Sequence, residues 1–178
     1  MAEMGYAYFA THGYAPIGFD HFAKPGGDPL ARAALDGTLR RNFQGFTDDP
    51  SDILIGLGAS AISSFPGLIA QNEKNSGRYR MKAGEGQLAV NRGIRRTAED
   101  RYRGAIIDNL LCNGRAKVGT RVLAEVAPRL RPFVARGLAQ IDREWLSIEP
   151  DGLPYARTIA AAFDTYRAVS PRQFSSAV

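Results

Sequence analysis

The sequence predicts an α/β chain, with βα units in its first half and mostly helices in its second. Three observations predict it. Residues 1–65 read helix, strand, helix, strand, the rhythm of βα units. Ile53-Leu54-Ile55 is a nearly all-apolar, β-branched run, which suits a strand buried on both faces of a parallel sheet or barrel. After Gly84 and Gly86 the order becomes helix, helix, hairpin, helix, which is winged-helix-like. The glycine pair sets the expected division into domains at residues 1–82 and 83–178.

Element by element, residues 1–12 read as a helix with Gly13 as its C-cap and His12 compensating the dipole at its end. Tyr14 to Phe22 (YAPIGFDHF) reads as one strand ending in the polar pair Asp20-His21, a position where an α/β barrel carries site residues. Asp28-Pro29 starts a helix, with Asp as N-cap and Pro in the first position, and Gly37 stops it. A polar helix follows Gln71-Asn72-Glu73-Lys74 and runs to about Lys82. Leu88 to Asn91 reads as a short strand. Thr97-Ala98-Glu99-Asp100 is a capping box that opens a helix with Tyr102, Ala105, Ile106, Leu110 and Leu111 on one stripe and Cys112, a small buried residue, at its end. A second amphipathic helix spans Val122 to Arg136, restarted or kinked at Pro128. Gly137 to Glu149 forms two strands around Asp142-Arg143-Glu144, with Trp145 where a turn favours Gly or Asn. A last helix carries Tyr155, Ile159, Phe163 and Tyr166.

Composition narrows the functional classes. The 178 residues are 44% hydrophobic, with no apolar run near the ~18 needed to cross a bilayer, and no signal peptide opens the chain, so a soluble, cytoplasmic protein is expected. The single cysteine, Cys112, excludes an internal disulfide and, for this chain alone, an iron–sulfur cluster or Cys-rich zinc site. Of 23 Lys+Arg and 18 Asp+Glu, residues 1–82 hold 8 of each, leaving 15 and 10 in residues 83–178. The net charge of +5 therefore sits wholly in the second half, where it suits either a polyanionic partner or an ordinary solvated surface.

The candidate site runs from Arg41 to Phe65. Ile53-Leu54-Ile55 breaks directly into Gly56, Gly58, Ala59, Ser60 and Ala61, small residues that let another group approach the backbone. RNFQG (Arg41 to Gly45) adds the ring of Phe43 and the amide of Gln44, which together suit a flat heterocycle such as adenine. The same residues also fit a core strand followed by a glycine-rich turn, since G-x-G alone is weak evidence.

GFDHFAKP (Gly18 to Pro25), RNFQGF (Arg41 to Phe46), IGLGASAIS (Ile55 to Ser63) and AQNEK (Ala70 to Lys74) together resemble the oxygen-independent coproporphyrinogen III oxidases, radical S-adenosylmethionine (SAM) enzymes of haem biosynthesis. RGI (Arg92 to Ile94), LLCN (Leu110 to Asn113) and FDTY (Phe163 to Tyr166) follow in the family's order. The resemblance implies the C-terminal part of such an enzyme: closing βα units of an incomplete TIM-like radical SAM barrel, then a winged-helix-like domain thought to cover the substrate. It implies a 4Fe–4S cluster whose C-x-x-x-C-x-x-C ligands are not in this chain, so the chain alone is expected to be inactive. It further implies that Ile62 contacts the SAM on that cluster, and that Phe43 and Gln44 lie beside it, near the second SAM reported for the family. In the family a 5′-deoxyadenosyl radical removes hydrogen from a propionate of coproporphyrinogen III, and loss of CO₂ leaves a vinyl group. The substrate's four propionates would need arginines, which bind carboxylates bidentately. An electron acceptor is implied, but no nucleic acid or membrane partner. The second reading is a basic binding module for nucleic acid or tetrapyrrole without catalysis. Nucleic-acid binding would weaken steeply with salt, and it leaves GFDHFAKP and RNFQG unexplained.

Overall fold

A computed structural model describes residues 2–167 of the chain. The elements in order are α1 (Ala2–Thr11), β1 (Ala15–Ile17), β2 (His21–Ala23), α2 (Pro29–Leu35), β3 (Arg40–Arg41), β4 (Phe46–Thr47), β5 (Ile62–Phe65), β6 (Leu68–Asn72), α3 (Ser76–Gly84), β7 (Val90–Arg95), α4 (Ala98–Asn113), β8 (Arg115–Lys117), α5 (Thr120–Val134), β9 (Ala139–Asp142) and β10 (Trp145–Ile148). A 3-10 turn (Pro150–Tyr155), α6 (Ala156–Ala160) and a second 3-10 turn (Ala161–Phe163) follow. The content is mixed α/β, but every strand pairing is antiparallel, so the parallel βα rhythm expected for residues 1–65 is corrected. In that segment the paired strands β1 with β2 and β3 with β4 are joined by turns of a few residues, whereas a parallel pair needs a crossover of a dozen or more.

Two compact units result, Met1–Asp48 with Arg103–Val178, and Asp49–Tyr102. The expected division between residues 82 and 83 falls near the end of α3, inside the second unit.

The larger unit holds the main core. Leu110 of α4, Val122, Val126 and Leu130 of α5, Leu146 of β10, Ile159 of α6 and Phe163 pack together, each at most 2% exposed. α4 begins as its sequence predicts. Thr97 Oγ1 accepts from the Asp100 amide at 3.1 Å, while Asp100 Oδ2 accepts from the Thr97 amide at 2.8 Å, a reciprocal capping box. On the predicted stripe Ile106, Leu110 and Leu111 are buried, but Tyr102 and Ala105 are exposed and Arg103 takes their place inside. α5 runs as one element through Pro128 and Pro132, so Pro128 does not restart it. The hairpin of β9 and β10 forms with Trp145 opposite Asp142, and Arg143 takes the left-handed backbone (φ 53°) in place of the Gly or Asn the turn favours. β8, not foreseen, pairs with the other edge of β10 to complete a sheet ordered β8-β10-β9.

A second core joins the N-terminal segments to α4: Ile17, Ala23, Ala31, Ala33, Leu39 and Cys112. The predicted strand from Tyr14 to Phe22 is instead the hairpin of β1 and β2, because Gly18 adopts φ 59° and turns the chain. α1 packs on this hairpin through aromatic rings, with Phe9 stacked on Phe22 at 4.8 Å and Tyr6 edge-on to it at 5.3 Å. The other predicted caps of this region are present. Gly13 has φ 76°, His12 Nδ1 lies 2.7 Å from the Tyr8 carbonyl, and Asp28 Oδ1 accepts from the Leu30 amide at 2.8 Å.

In the smaller unit, β5, β6 and β7 form an antiparallel sheet in that order, and α3 follows β6. Asn75 caps α3, its Oδ1 accepting from the Arg78 amide at 3.0 Å. The Leu88–Asn91 strand is realised as β7, two residues later and longer. Ile53-Leu54-Ile55 is not a buried strand. Only Leu54 pairs, through an isolated bridge to Ser64, while Ile53 and Ile55 are 54% and 66% exposed.

Arg103 of α4, 5% exposed, donates from Nη2 to Glu125 Oε2 of α5 and so ties the two main helices. That hydrogen bond holds the Glu125 carboxyl below its usual value of 4.5. Desolvation opposes the shift, and the charges of Arg103, Arg129 and Arg121 reinforce it. A carboxyl whose pKa falls on folding stabilises the fold above its unfolded value and loses that contribution as pH falls through the folded one. Glu125→Gln is therefore expected to flatten the fall in urea midpoint as pH drops below the ordinary carboxyl value of 4.5. A variant that falls as steeply as the parent would contradict this account.

Candidate functional site

RNFQGF spans the hairpin of β3 and β4. Arg41 pairs with Phe46, and the four residues from Asn42 to Gly45 make the turn. The turn is built by Asn42, whose Oδ1 accepts from the Gln44 amide (2.8 Å) and the Gly45 amide (3.2 Å) while its own amide donates to the Gly45 carbonyl (2.9 Å). This lifts Phe43 and Gln44 to the tip. Phe43 is 52% exposed and Gln44 is exposed. Both side chains are thus exposed at the turn.

The base of this hairpin packs on the β1–β2 turn. Phe46 lies edge-on to Phe19 at 5.8 Å and to His21 at 5.1 Å. His21 Nδ1 is 2.7 Å from Asp20 Oδ1, so the Asp20-His21 pair sits at a turn and not at the end of a buried strand. Gly18 makes the packing possible: a Cβ there would stand 2.1 Å from Phe46 Cζ. The Arg41 guanidinium lies over both rings, 5.8 Å from Phe19 and 5.6 Å from Phe46. Nothing in the sequence around Arg41 signals this stacking, because Phe19 lies 22 residues away.

The loop Ile55–Ala61 belongs to the other unit, and its glycines have a different use from the one expected. A Cβ on Gly56 would stand 2.6 Å from the Ile62 carbonyl oxygen, so the close approach Gly56 permits is to the chain's own backbone. The loop's polar groups are largely satisfied internally. The Gly56 amide donates to Ser63 Oγ (3.0 Å) and the Gly58 amide to Tyr79 Oη of α3 (3.0 Å). Asn72 Nδ2 donates to both the Gly56 and Gly58 carbonyls at 3.0 Å. Ser60, left-handed at φ 65°, donates its amide to the Glu73 carbonyl (3.0 Å) and accepts from Gln71 Nε2 (3.0 Å). The expected open backbone at Gly56 and Gly58 is therefore a stapled turn. Ser63, Asn72 and Tyr79, which hold it, were missed as a group because their partners lie 7 to 21 residues away. Ile62, half-buried, opens β5 opposite Gln71. The structure thus brings Phe43 and Gln44 together on one turn, while Ile62 belongs to the other unit.

Glu73, 8% exposed, anchors the same loop region. Its Oε1 accepts from the Lys74 amide (3.1 Å) and Lys82 Nζ of α3 lies 3.8 Å from Oε2. Gln71 Oε1 accepts two hydrogen bonds from Arg92 of β7, at 3.0 and 2.7 Å.

The donor set does not suit an iron–sulfur cluster. Cys112 is buried and its thiol is pushed up to about 12, first by desolvation and then by the Asp108 charge, with Arg41 opposing. A thiol so far from ionising is a poor ligand. Among the described residues no three His, Cys, Asp or Glu side chains are grouped to hold a metal.

Asn72→Ala is expected to leave two loop carbonyls without their donor. It should speed amide exchange at Gly58 and Ser60 at least tenfold and lower stability by about 1–2 kcal/mol. Gly56→Ala, forced against the Ile62 backbone, should cost more than ~1 kcal/mol in urea unfolding. Unchanged exchange in the first variant and unchanged stability in the second would refute the stapled turn.

No protein-family model matches the chain. It is 41% identical over 172 residues to the oxygen-independent coproporphyrinogen III oxidase of Paracoccus denitrificans, covering 89% of this chain and 37% of that protein. The enzyme of the same name from Escherichia coli is 35% identical over 184 residues, covering 97% of this chain and 40% of that one. The relative from Thermostichus vulcanus is 37% identical, with 94% and 55% covered. Among solved structures, coproporphyrinogen III oxidase from Escherichia coli, described as a radical SAM enzyme, superposes with a TM-score of 0.84 at 35% identity, covering 92% of this chain and 40% of that one. The chain spans about two fifths of the length of the Paracoccus and Escherichia relatives. Along nearly the whole of its own length the chain is thus similar to part of the oxygen-independent coproporphyrinogen III oxidases.

Proposed function

We propose that this chain is the C-terminal part of a radical SAM oxidoreductase that carries out the oxygen-independent oxidative decarboxylation of coproporphyrinogen III propionates to vinyls in haem biosynthesis. The observation that carries the reading is identity of 35–41% along about nine tenths of the chain with enzymes of that name. The residues quoted for the resemblance include the exposed pair Phe43 and Gln44. The chemistry a bound SAM supplies is a carbon radical that takes hydrogen from the substrate; the cluster that SAM needs is held by ligands outside this chain.

The residues here have binding and positioning roles in that reading. Phe43 stacks on a SAM adenine and Gln44 bonds its edge, while Ile62 contacts the other SAM through an apolar side chain fixed at the start of β5. Ile53, Ile55 and Leu57, exposed at 54%, 66% and 84%, are the faces the remainder of a barrel would cover. In the finer fold, the segments through β7 close an incomplete TIM-like barrel and α4 to α6 make a winged-helix-like domain over the substrate. No helix among the described residues is long and apolar enough to cross a membrane. Coproporphyrinogen III and an electron acceptor are the partners, in the cytoplasm.

The test is anaerobic turnover of coproporphyrinogen III with SAM and a reductant, read by porphyrin fluorescence after oxidation. The chain alone is expected to give no protoporphyrin, and the longer polypeptide read from the same gene to give it. In the longer polypeptide Gln44→Ala should lower kcat/KM about tenfold, the loss of one hydrogen bond to a ligand. A longer polypeptide with no turnover would overturn the reading.

A further inference from the structure

Arg41 differs from the buried Arg103 in having no carboxylate partner among the described residues. It is half-buried, its Nε is buried, and among the described residues that Nε has no hydrogen-bond partner and the guanidinium no carboxylate partner. Compare Arg103, also buried, which is answered by Glu125. A guanidinium nitrogen withdrawn from water without an acceptor is costly, and stacking on rings offsets only part of that.

Its surroundings look toward an anion. Arg41 lies over Phe19 (5.8 Å) and Phe46 (5.6 Å), and Arg157 of α6 lies over Phe19 as well (5.7 Å). Two guanidinium groups thus share one aromatic ring, and neither has an ion-pair partner among the described residues. Asp20 lies 2.7 Å from His21 Nδ1, and the charges of Asp108 and Arg41 act on Cys112 in opposite directions. The ring faces supply an apolar bed, and the two cations supply fork-shaped donors matched to a carboxylate.

We propose that Arg41 and Arg157 form a carboxylate-binding subsite on the ring of Phe19, with Phe46 backing Arg41. The ligand is an organic carboxylate with an apolar stem: the stem lies on the rings and the carboxylate meets the guanidinium groups. It deepens the function proposed above, on which it rests only for the source of the carboxylate, a propionate arm of a tetrapyrrole or the amino-acid end of SAM.

The test follows the Arg41 and Arg157 side-chain Nε–H resonances by NMR in the full chain. Propionate is expected to shift both saturably, and propionamide, its neutral counterpart, to shift neither. Arg157→Gln should weaken the propionate response read at Arg41 at least threefold. Arg41→Gln should do the same at Arg157, and because Arg157 is exposed its variant keeps the test valid if the Arg41 variant does not fold. No saturable shift, an equal response to propionamide, or variants with unchanged affinity would overturn the subsite. Coproporphyrin III, its tetramethyl ester and S-adenosylhomocysteine then separate the sources. Competition by coproporphyrin III but not its ester assigns the propionate, and competition by S-adenosylhomocysteine assigns the amino acid. If propionate binds and neither larger ligand competes, the subsite stands and the proposed function loses its support.

Discussion

The packing of Phe46 against Gly18 is the constraint on which the arrangement of the larger unit's site depends. Gly18 has no side chain and turns with positive φ, so the ring of Phe46 reaches the backbone of the β1–β2 turn, where any Cβ would overlap it. That contact seats one hairpin on another. It places Arg41 across Phe19 and Phe46, and it holds the base of the RNFQG turn while Asn42 shapes the tip. Phe43 and Gln44 are exposed because the turn below them is fixed, not because it is loose.

The smaller unit solves a related problem by other means. Its glycine loop folds over the start of β5, with Gly56 passing the Ile62 backbone and the freed polar groups taken up by Ser63, Asn72 and Tyr79. A loop stapled in this way is preorganised. What it presents to a ligand is a fixed shape and the apolar side chains of Ile55 and Leu57, with its Gly56 and Gly58 amides and carbonyls already engaged.

Local chemistry was legible in the sequence, and long-range geometry was not. Asp28-Pro29, Thr97 with Asp100, Gly13 and the hairpin around Arg143 all came out as read, because each depends on residues within four positions of one another. The strand over Tyr14 to Phe22 failed at one residue. Gly18 splits an apolar stretch that reads as continuous, and only the ring of Phe46, 28 positions on, shows why glycine is needed there. Ile53-Leu54-Ile55 failed differently: an apolar run reports that something should cover it, without saying what. Phe43 and Gln44 are singled out by residue type alone, whereas the stacking of Arg41 on two rings is visible only in three dimensions.

The seating of the two hairpins is tested most directly by a double-mutant cycle of Arg41→Met and Phe46→Leu in urea unfolding of the full chain. The account predicts a coupling of about 0.5–1 kcal/mol between the two positions, the scale of a half-buried cation over an aromatic face. Additive losses, within about 0.3 kcal/mol, would contradict it: Arg41 would then not rest on Phe46 in solution, and the cluster built on Gly18 would not hold.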